Sequence, residues 1–282
     1  MNDSFRPLVL THPSGATASL CAYGAHVTSW KLANGKEKLF LSSQAKFEQG
    51  KSIRGGVPII FPQFNEFGHG QRHGFARTSQ WEIRKEPTEN NDKIECQLEF
   101  NASDETRQSW PYRFKAIYTV VLSENSLSLT LSIENLDETP FSFTAALHSY
   151  FNISQLRHTE LIGLKDTEYW SNDGSEFSCR YKEKEDDLFI SDALDRVYFN
   201  VASALKLKDL KNGSLHISQT GFNDVVVWNP GKAAAVQMQD MANEEYQHML
   251  CVEAAVIDNP VVLNPNEKWK GVQYITAEKK ST

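Results

Sequence analysis

Residues 127–133 read LSLTLSI: Leu127, Leu129, Leu131 and Ile133 alternate with Ser128, Thr130 and Ser132. A period of two puts the aliphatic set on one face of an extended chain and the hydroxyls on the other, which predicts a strand lying on a core with its back to water. Ile94, Cys96, Leu98 and Phe100 repeat the rhythm against Glu95, Gln97 and Glu99, and Ala18, Leu20 and Ala22 repeat it more weakly. Residues 115–122, 141–151, 225–228 and 250–257 are more uniformly apolar, the pattern of strands covered on both faces. Turn-forming clusters punctuate these runs at Asn34-Gly35, at 90–92, at 135–140, at Asn212-Gly213 and at 229–231. Helical signals are few: one short helix over 103–110, stopped by Pro111, and another over 241–248. Many strands joined by turns predict an all-β fold, a sandwich or a barrel.

The totals agree with that class. A chain of 282 residues can bury a large core, and no repeat, low-complexity tract or linker divides it, so 1–282 is expected to form one domain. Apolar content of 40% with 23% charged residues belongs to a soluble globular protein rather than a disordered one. A net charge of −7 and the lack of a long basic run argue against a nucleic-acid partner, while a few arginines can still hold a small anion. No uninterrupted apolar segment has the length of a membrane span. The opening residues, MNDSFRPLVLTHP, do not form the basic start and apolar run of a signal peptide. Cys21, Cys96, Cys179 and Cys251 are far apart and form no C-x-x-C pair, so reduced, buried thiols in a cytoplasmic protein are expected, not a metal site. Residues 182–187, KEKEDD, are the densest charge run and predict a solvated loop. A monomer is the default expectation.

Residues 53–77, IRGGVPIIFPQFNEFGHGQRHGFAR, are unlike the rest of the chain. Gly55-Gly56 permits backbone angles or close approaches that a side chain would block, and Pro58 and Pro62 exclude a helix or a central strand. Ile59, Ile60, Phe61 and Phe64 are too apolar to lie in water. The expectation is an ordered loop pinned onto the core that presents Arg54, His73 and Arg77. His69 and His73 are four apart, but Gly68, Gly70 and Gly74 argue against a helical metal pair.

Two apolar strands carry a conspicuous ionisable group. In 145–151, AALHSYF, alternation puts Ala146, His148 and Tyr150 on one face; in 250–256, LCVEAAV, it puts Glu253 beside Cys251 and Ala255. The small neighbours leave room for a ligand. A glutamate between Val252 and Ala254 is rarely buried without a partner or a job, although a structural ion pair and a hydrogen-bonded core histidine are the plain readings of the two residues. Together they can supply an acid and a base near neutral pH. Asp195, taken alone, reads as a strand-start or capping residue. No G-x-S-x-G, phosphate-loop or dinucleotide fingerprint is present.

The combination of IRGGVPIIFPQF, HGFARTSQW, ALHSYFNI, DRVYFN, VVWNPG and CVEAAVI resembles the hexose-6-phosphate mutarotases of the aldose 1-epimerase group, and the matching motifs run through nearly the whole chain. The resemblance implies a large antiparallel β-sandwich of the galactose-mutarotase type and a cofactor-independent isomerase of hexose 6-phosphates, with no metal. It implies that His148 and Glu253 are catalytic, that His73 and Asp195 hold sugar hydroxyls, and that Arg54 and Arg77 meet the phosphate. Where relatives commonly have Leu-Pro before His73, this chain has Gln71-Arg72, and Arg72 adds a third cation. The alternative function is a sugar-phosphate sensor or scaffold on the same fold without catalysis.

Overall fold

The alternating stretch forms the strand Ser126–Asn135, with Leu127, Leu129, Leu131 and Ile133 fully buried and the intervening hydroxyls half-exposed. At about 1.5–3 kcal/mol for each buried aliphatic side chain, that face contributes roughly 6–12 kcal/mol before the cost of ordering the chain. The computed structural model describes residues 3–278 apart from His69 and Ser203. In it the strand pairs antiparallel with Phe114–Leu122 on one side and Lys268–Ala277 on the other, inside a nine-stranded sheet.

A second sheet of eight strands runs in the order Tyr181–Lys182, Glu168–Ser171, Leu194–Tyr198, Asp224–Asn229, Met249–Leu263, Phe141–Leu147 and Ile59–Ile60, and Tyr150–Asn152 also pairs with Met249–Leu263. Leu250, Val252 and Ala254 of its long central strand meet Leu129 and Leu131 of the first sheet in one core. A three-stranded sheet, Pro7–Thr11, Thr17–Cys21 and His26–Lys31, adds Leu10, Leu20, Val27 and Trp30 to that core. The result is the mainly β, antiparallel sandwich that the periodicity predicts.

Several local readings change. The run at 115–122 is covered on one face only: Phe114–Leu122 alternates buried and half-exposed, with Lys115, Ile117, Thr119 and Val121 on the face that meets solvent. The run at 141–151 is broken. His148 donates its amide to the Pro58 carbonyl and Ser149 to that of Leu147, so two residues leave the ladder between Phe141–Leu147 and Tyr150–Asn152. Within the charged run 182–187, Glu183 is buried, accepting from Arg196 at 2.9 Å and Tyr198 at 2.7 Å, so it is a structural partner and not a solvated loop residue. Cys179 is exposed, while Cys21, Cys96 and Cys251 are buried free thiols as expected.

The helix expected before Pro111 forms as Asp104–Ser109, capped by Ser103. The one expected at 241–248 shrinks to the single 3₁₀ turn Glu245–His248, and a short helix, Gly231–Ala235, follows the strand Asp224–Asn229 after Pro230 alone. Among the described residues, no helix is long and apolar enough to cross a membrane.

Candidate active site

The site starts from the parity of the central strand. Because Leu250, Val252 and Ala254 face the core, Cys251, Glu253 and Ala255 must face the opposite side of the eight-stranded sheet. Glu253 is 1% exposed there, opposite Val226 of one neighbouring strand, while Ala146 of the other stands opposite Ala255 on the same face. The two-residue excursion at His148-Ser149 delivers the imidazole to the same spot, as bulges next to functional sites commonly do. Nδ1 of His148 lies 3.1 Å from Oε1 of Glu253. Below them Gln273, from the other sheet, donates to the Val252 carbonyl at 3.0 Å and bonds Ser149 Oγ at 2.5 Å, tying the two segments together.

The imidazole stacks on the Tyr150 ring, with centroids 4.7 Å apart and planes 8° from parallel, and meets Trp228 edge-on. The 3.1 Å approach to Glu253 is not aligned as a hydrogen bond, and neither Nδ1 of His148 nor Oε2 of Glu253 has a hydrogen-bond partner. A buried polar group left unpaired costs about 1–3 kcal/mol, so the pair is a costly arrangement for the fold to keep. Burial pushes the Glu253 carboxyl well above the ordinary carboxylate range, and Asp195 pushes the same way while Arg77 opposes. Burial holds His148 well below the ordinary histidine value, followed by the electrostatic influence of the His73 ring and of the Arg77 and Arg54 guanidiniums. Both shifts favour the uncharged pair.

The 53–77 loop forms one wall. Gly55 and Gly56 take φ of 106° and 60°, and a Cβ on Gly56 would sit 2.1 Å from the Val27 carbonyl oxygen, so only glycine fits. His26 Nε2 binds the Gly55 carbonyl at 2.8 Å and fixes the bend from below. Ile59 and Ile60 add a short edge strand, and Phe61 is buried among Phe75, Trp110, Phe114 and Phe143. The loop is thus ordered and pinned as expected.

Arg54 donates through Nη1 to the Tyr150 hydroxyl at 3.0 Å and pairs with Asp240 at 3.3 Å. Arg77 donates to the Arg72 carbonyl at 3.1 Å and keeps a buried, unpartnered Nε. Burial and the charges of Arg54 and Arg72 lower Arg77 to about 10, which leaves it a cation at neutral pH. His73 accepts the Asn65 amide on Nδ1 at 3.1 Å, so its proton resides on Nε2; burial and the three arginines push its pKa down to about 3. On the far wall Asp195, second residue of Leu194–Tyr198, accepts from Asn172 at 2.8 Å and is raised by burial.

Arg54, Arg72, His73, Arg77, His148, Asp195 and Glu253 all line one cavity of about 210 Å³. The structure therefore brings together every site residue expected from the sequence. It adds Asn65, Asn172 and Trp170 to the lining, and Tyr150 and Asp240 behind Arg54. Tyr150 was signalled by sharing a strand face with His148; Asn172 and Asp240 sit in turns and carried no signal.

Ligand atoms of His148, Cys251 and Glu253 lie within 4.8 Å of one another, the one such group among the described residues. A metal requires deprotonated donors, and burial drives both the Cys251 thiol and the Glu253 carboxyl toward their protonated forms. That chemistry suits a proton-transfer pair better than a ligand set. His69, half of the histidine pair considered with His73, lies outside the described residues.

Comparison with known proteins points the same way. A family model described as aldose 1-epimerase matches residues 6–276. A protein of Cenchrus ciliaris, provisionally named glucose-6-phosphate 1-epimerase, is 38% identical over 272 residues, 94% of this chain and 82% of the relative. An Escherichia coli K12 protein of the same provisional name is 31% identical over 262 residues, 90% of this chain and 84% of its own. The crystal structure of YeaD from Salmonella typhimurium, provisionally named a mutarotase, matches with a TM-score of 0.86 at 28% identity, covering 96% of this chain and 90% of that one.

Proposed function

The chain belongs to the aldose 1-epimerase family and is an isomerase of that type, and from that premise we propose that it interconverts the α and β anomers of hexose 6-phosphates, glucose 6-phosphate first. The observation that carries the reading is the union, in one cavity, of a buried His148–Glu253 pair and a wall of three arginines. A phosphate is the ligand that such a wall fits, since guanidinium forks match its oxygens in a way lysine cannot.

Anomerisation needs a base at the O1 hydroxyl and an acid at the ring oxygen. The pair holds one proton whether it rests on the carboxyl or on the ring. With the proton on His148, the Glu253 carboxylate accepts the O1 proton while the imidazolium gives one to the ring oxygen, and the C1–ring oxygen bond breaks to leave the open-chain aldehyde. Rotation about C1–C2 and the reverse transfers close the ring on the other face and restore the pair. Each role is worth roughly a hundred- to ten-thousand-fold in rate, about 3–5 kcal/mol. The Nε2 proton of His73 and the Asn172-oriented carboxylate of Asp195 suit sugar hydroxyls.

A sensor without catalysis is the second reading. It gives no use for a buried imidazole held 3.1 Å from a buried carboxyl, a pair that is costly to bury and adds no affinity through the phosphate. Saturation-transfer NMR on glucose 6-phosphate separates the two. Glu253→Gln and His148→Asn should fold as the parent does yet exchange anomers at least about a hundredfold more slowly. Exchange at the parental rate in both variants would refute the assignment, and tight binding without any acceleration by the parent would favour the sensor.

A further inference from the structure

The arginine wall and the acid–base pair are joined by one side chain. Arg54 donates to the Tyr150 hydroxyl at 3.0 Å, and the Tyr150 ring lies parallel to the His148 imidazole at 4.7 Å. The wall is also unbalanced. Arg54, Arg72 and Arg77 stand against two carboxylates, Asp240 paired with Arg54 and Asp195 across the cavity within reach of Arg72's charge, which leaves a surplus of one positive charge at the cavity. Arg77 keeps a buried Nε with no partner, a donor awaiting an acceptor.

Resting on the hexose-phosphate reading, we propose that the substrate's phosphate is part of the acid as well as an anchor: seated on the arginines, it cancels their field across the cavity and moves the shared proton from Glu253 to His148, arming the pair only when a phosphorylated sugar is bound.

The groups that face His148 support this direction. Glu253 and Cys251 face it from the central strand, Tyr150 from its own segment, and His73, Arg77 and Arg54 from the loop. The thiol and Tyr150 are kept neutral by burial, and His73 is neutral as well. What remains to oppose an imidazolium, beyond burial itself, is the guanidinium charge. That charge acts unequally: Arg54 and Arg77 both weigh against a protonated His148, whereas Arg77 is the arginine that acts on Glu253. A dianion that neutralises Arg54 therefore favours the ring over the carboxyl as the seat of the proton. No electron or atom is exchanged; one proton passes from a carboxyl oxygen to a ring nitrogen.

The test divides the substrate into two pieces, D-xylose, which lacks the sixth carbon, and the phosphite dianion. Anomer exchange of xylose is followed by NMR as phosphite is added to the full chain, and the His148 ring is observed in ¹⁵N-histidine-labelled protein, assigned by its loss in His148→Asn. Phosphite should accelerate xylose exchange saturably by roughly tenfold or more, the equivalent of one pH unit at the acid, and shift the His148 signals toward imidazolium over the same concentrations. In Arg54→Ala both responses should shrink together. Phosphite that binds but leaves the xylose rate and the His148 signals unmoved would overturn the proposal while glucose 6-phosphate exchange, measured alongside, stands. A protein that takes up no phosphite lacks the anion seat and overturns it equally. Absence of glucose 6-phosphate exchange would instead remove the parent reading, and this one with it.

Discussion

Taking the protein from pH 7 to pH 5 should cost the native state about 2 kcal/mol through one side chain, His26. His26 is fully buried, with Nε2 on the Gly55 carbonyl at 2.8 Å and Nδ1 unpartnered. Burial is the main cause that lowers its pKa from 6.5 to about 4; the Gly55 bond opposes the shift and Arg77 adds to it. In the unfolded chain the ring takes a proton near 6.5, in the folded protein only near 4, so between these values the unfolded state binds more protons and stability falls with pH. At about 1.4 kcal/mol per unit, the loss is about 2 kcal/mol at pH 5 and about 3 at pH 4. His26→Gln isolates the effect, because glutamine can still donate to Gly55 but cannot titrate. Urea unfolding of parent and variant at both pH values gives two stability gaps. The gap should move by about 2 kcal/mol in the variant's favour at pH 5. A gap constant to within about 0.5 kcal/mol, the scatter usual for sites that do not interact, would refute the reasoning.

Three further outcomes are expected. Gly56→Ala should lower stability by about 3 kcal/mol or more, seen as a fall in the urea midpoint, because its Cβ would meet the Val27 oxygen at 2.1 Å in a left-handed conformation. Asn172→Ala should raise KM for glucose 6-phosphate roughly five- to tenfold, with a smaller change in kcat, since Asp195 loses the 2.8 Å bond that orients it. Under native conditions one thiol per chain, Cys179, should react rapidly with Ellman's reagent and the other three only on unfolding, as the remaining cysteines are buried.

The strands around Leu129 and Leu98 were legible because the face of a strand residue is set by its position alone. Whether the outer face is covered is set by distant chain, and so 115–122 read as doubly buried although Lys115 and Thr119 lie half-exposed. The same holds for Glu183, whose partners Arg196 and Tyr198 are brought to it by pairing between strands. In the site, His148 and Glu253 stood out as ionisable residues in apolar runs. Their 3.1 Å approach depends on the excursion at 148–149, which bonds to Pro58 and Leu147 and which no local pattern announces. Arg54, His73 and Arg77 stood out in the pinned loop, their roles and Asp195 followed from family resemblance, and the cavity gathers all four. Asp240 and Asn172 were invisible for a physical reason: a polar residue in a turn looks solvated until the fold sets it against an arginine or a carboxylate.

The alternation of the central strand also ties its register to its chemistry. If Met249–Leu263 paired one residue out of register, Glu253 would enter the hydrophobic core and Val252 would take its place in the cavity. The slip that disables the proton-transfer pair thus buries a carboxyl among aliphatic side chains, and the fold fails at the same moment as the activity. Activity and stability thus rest on one register, and losing the first by this route costs the second as well.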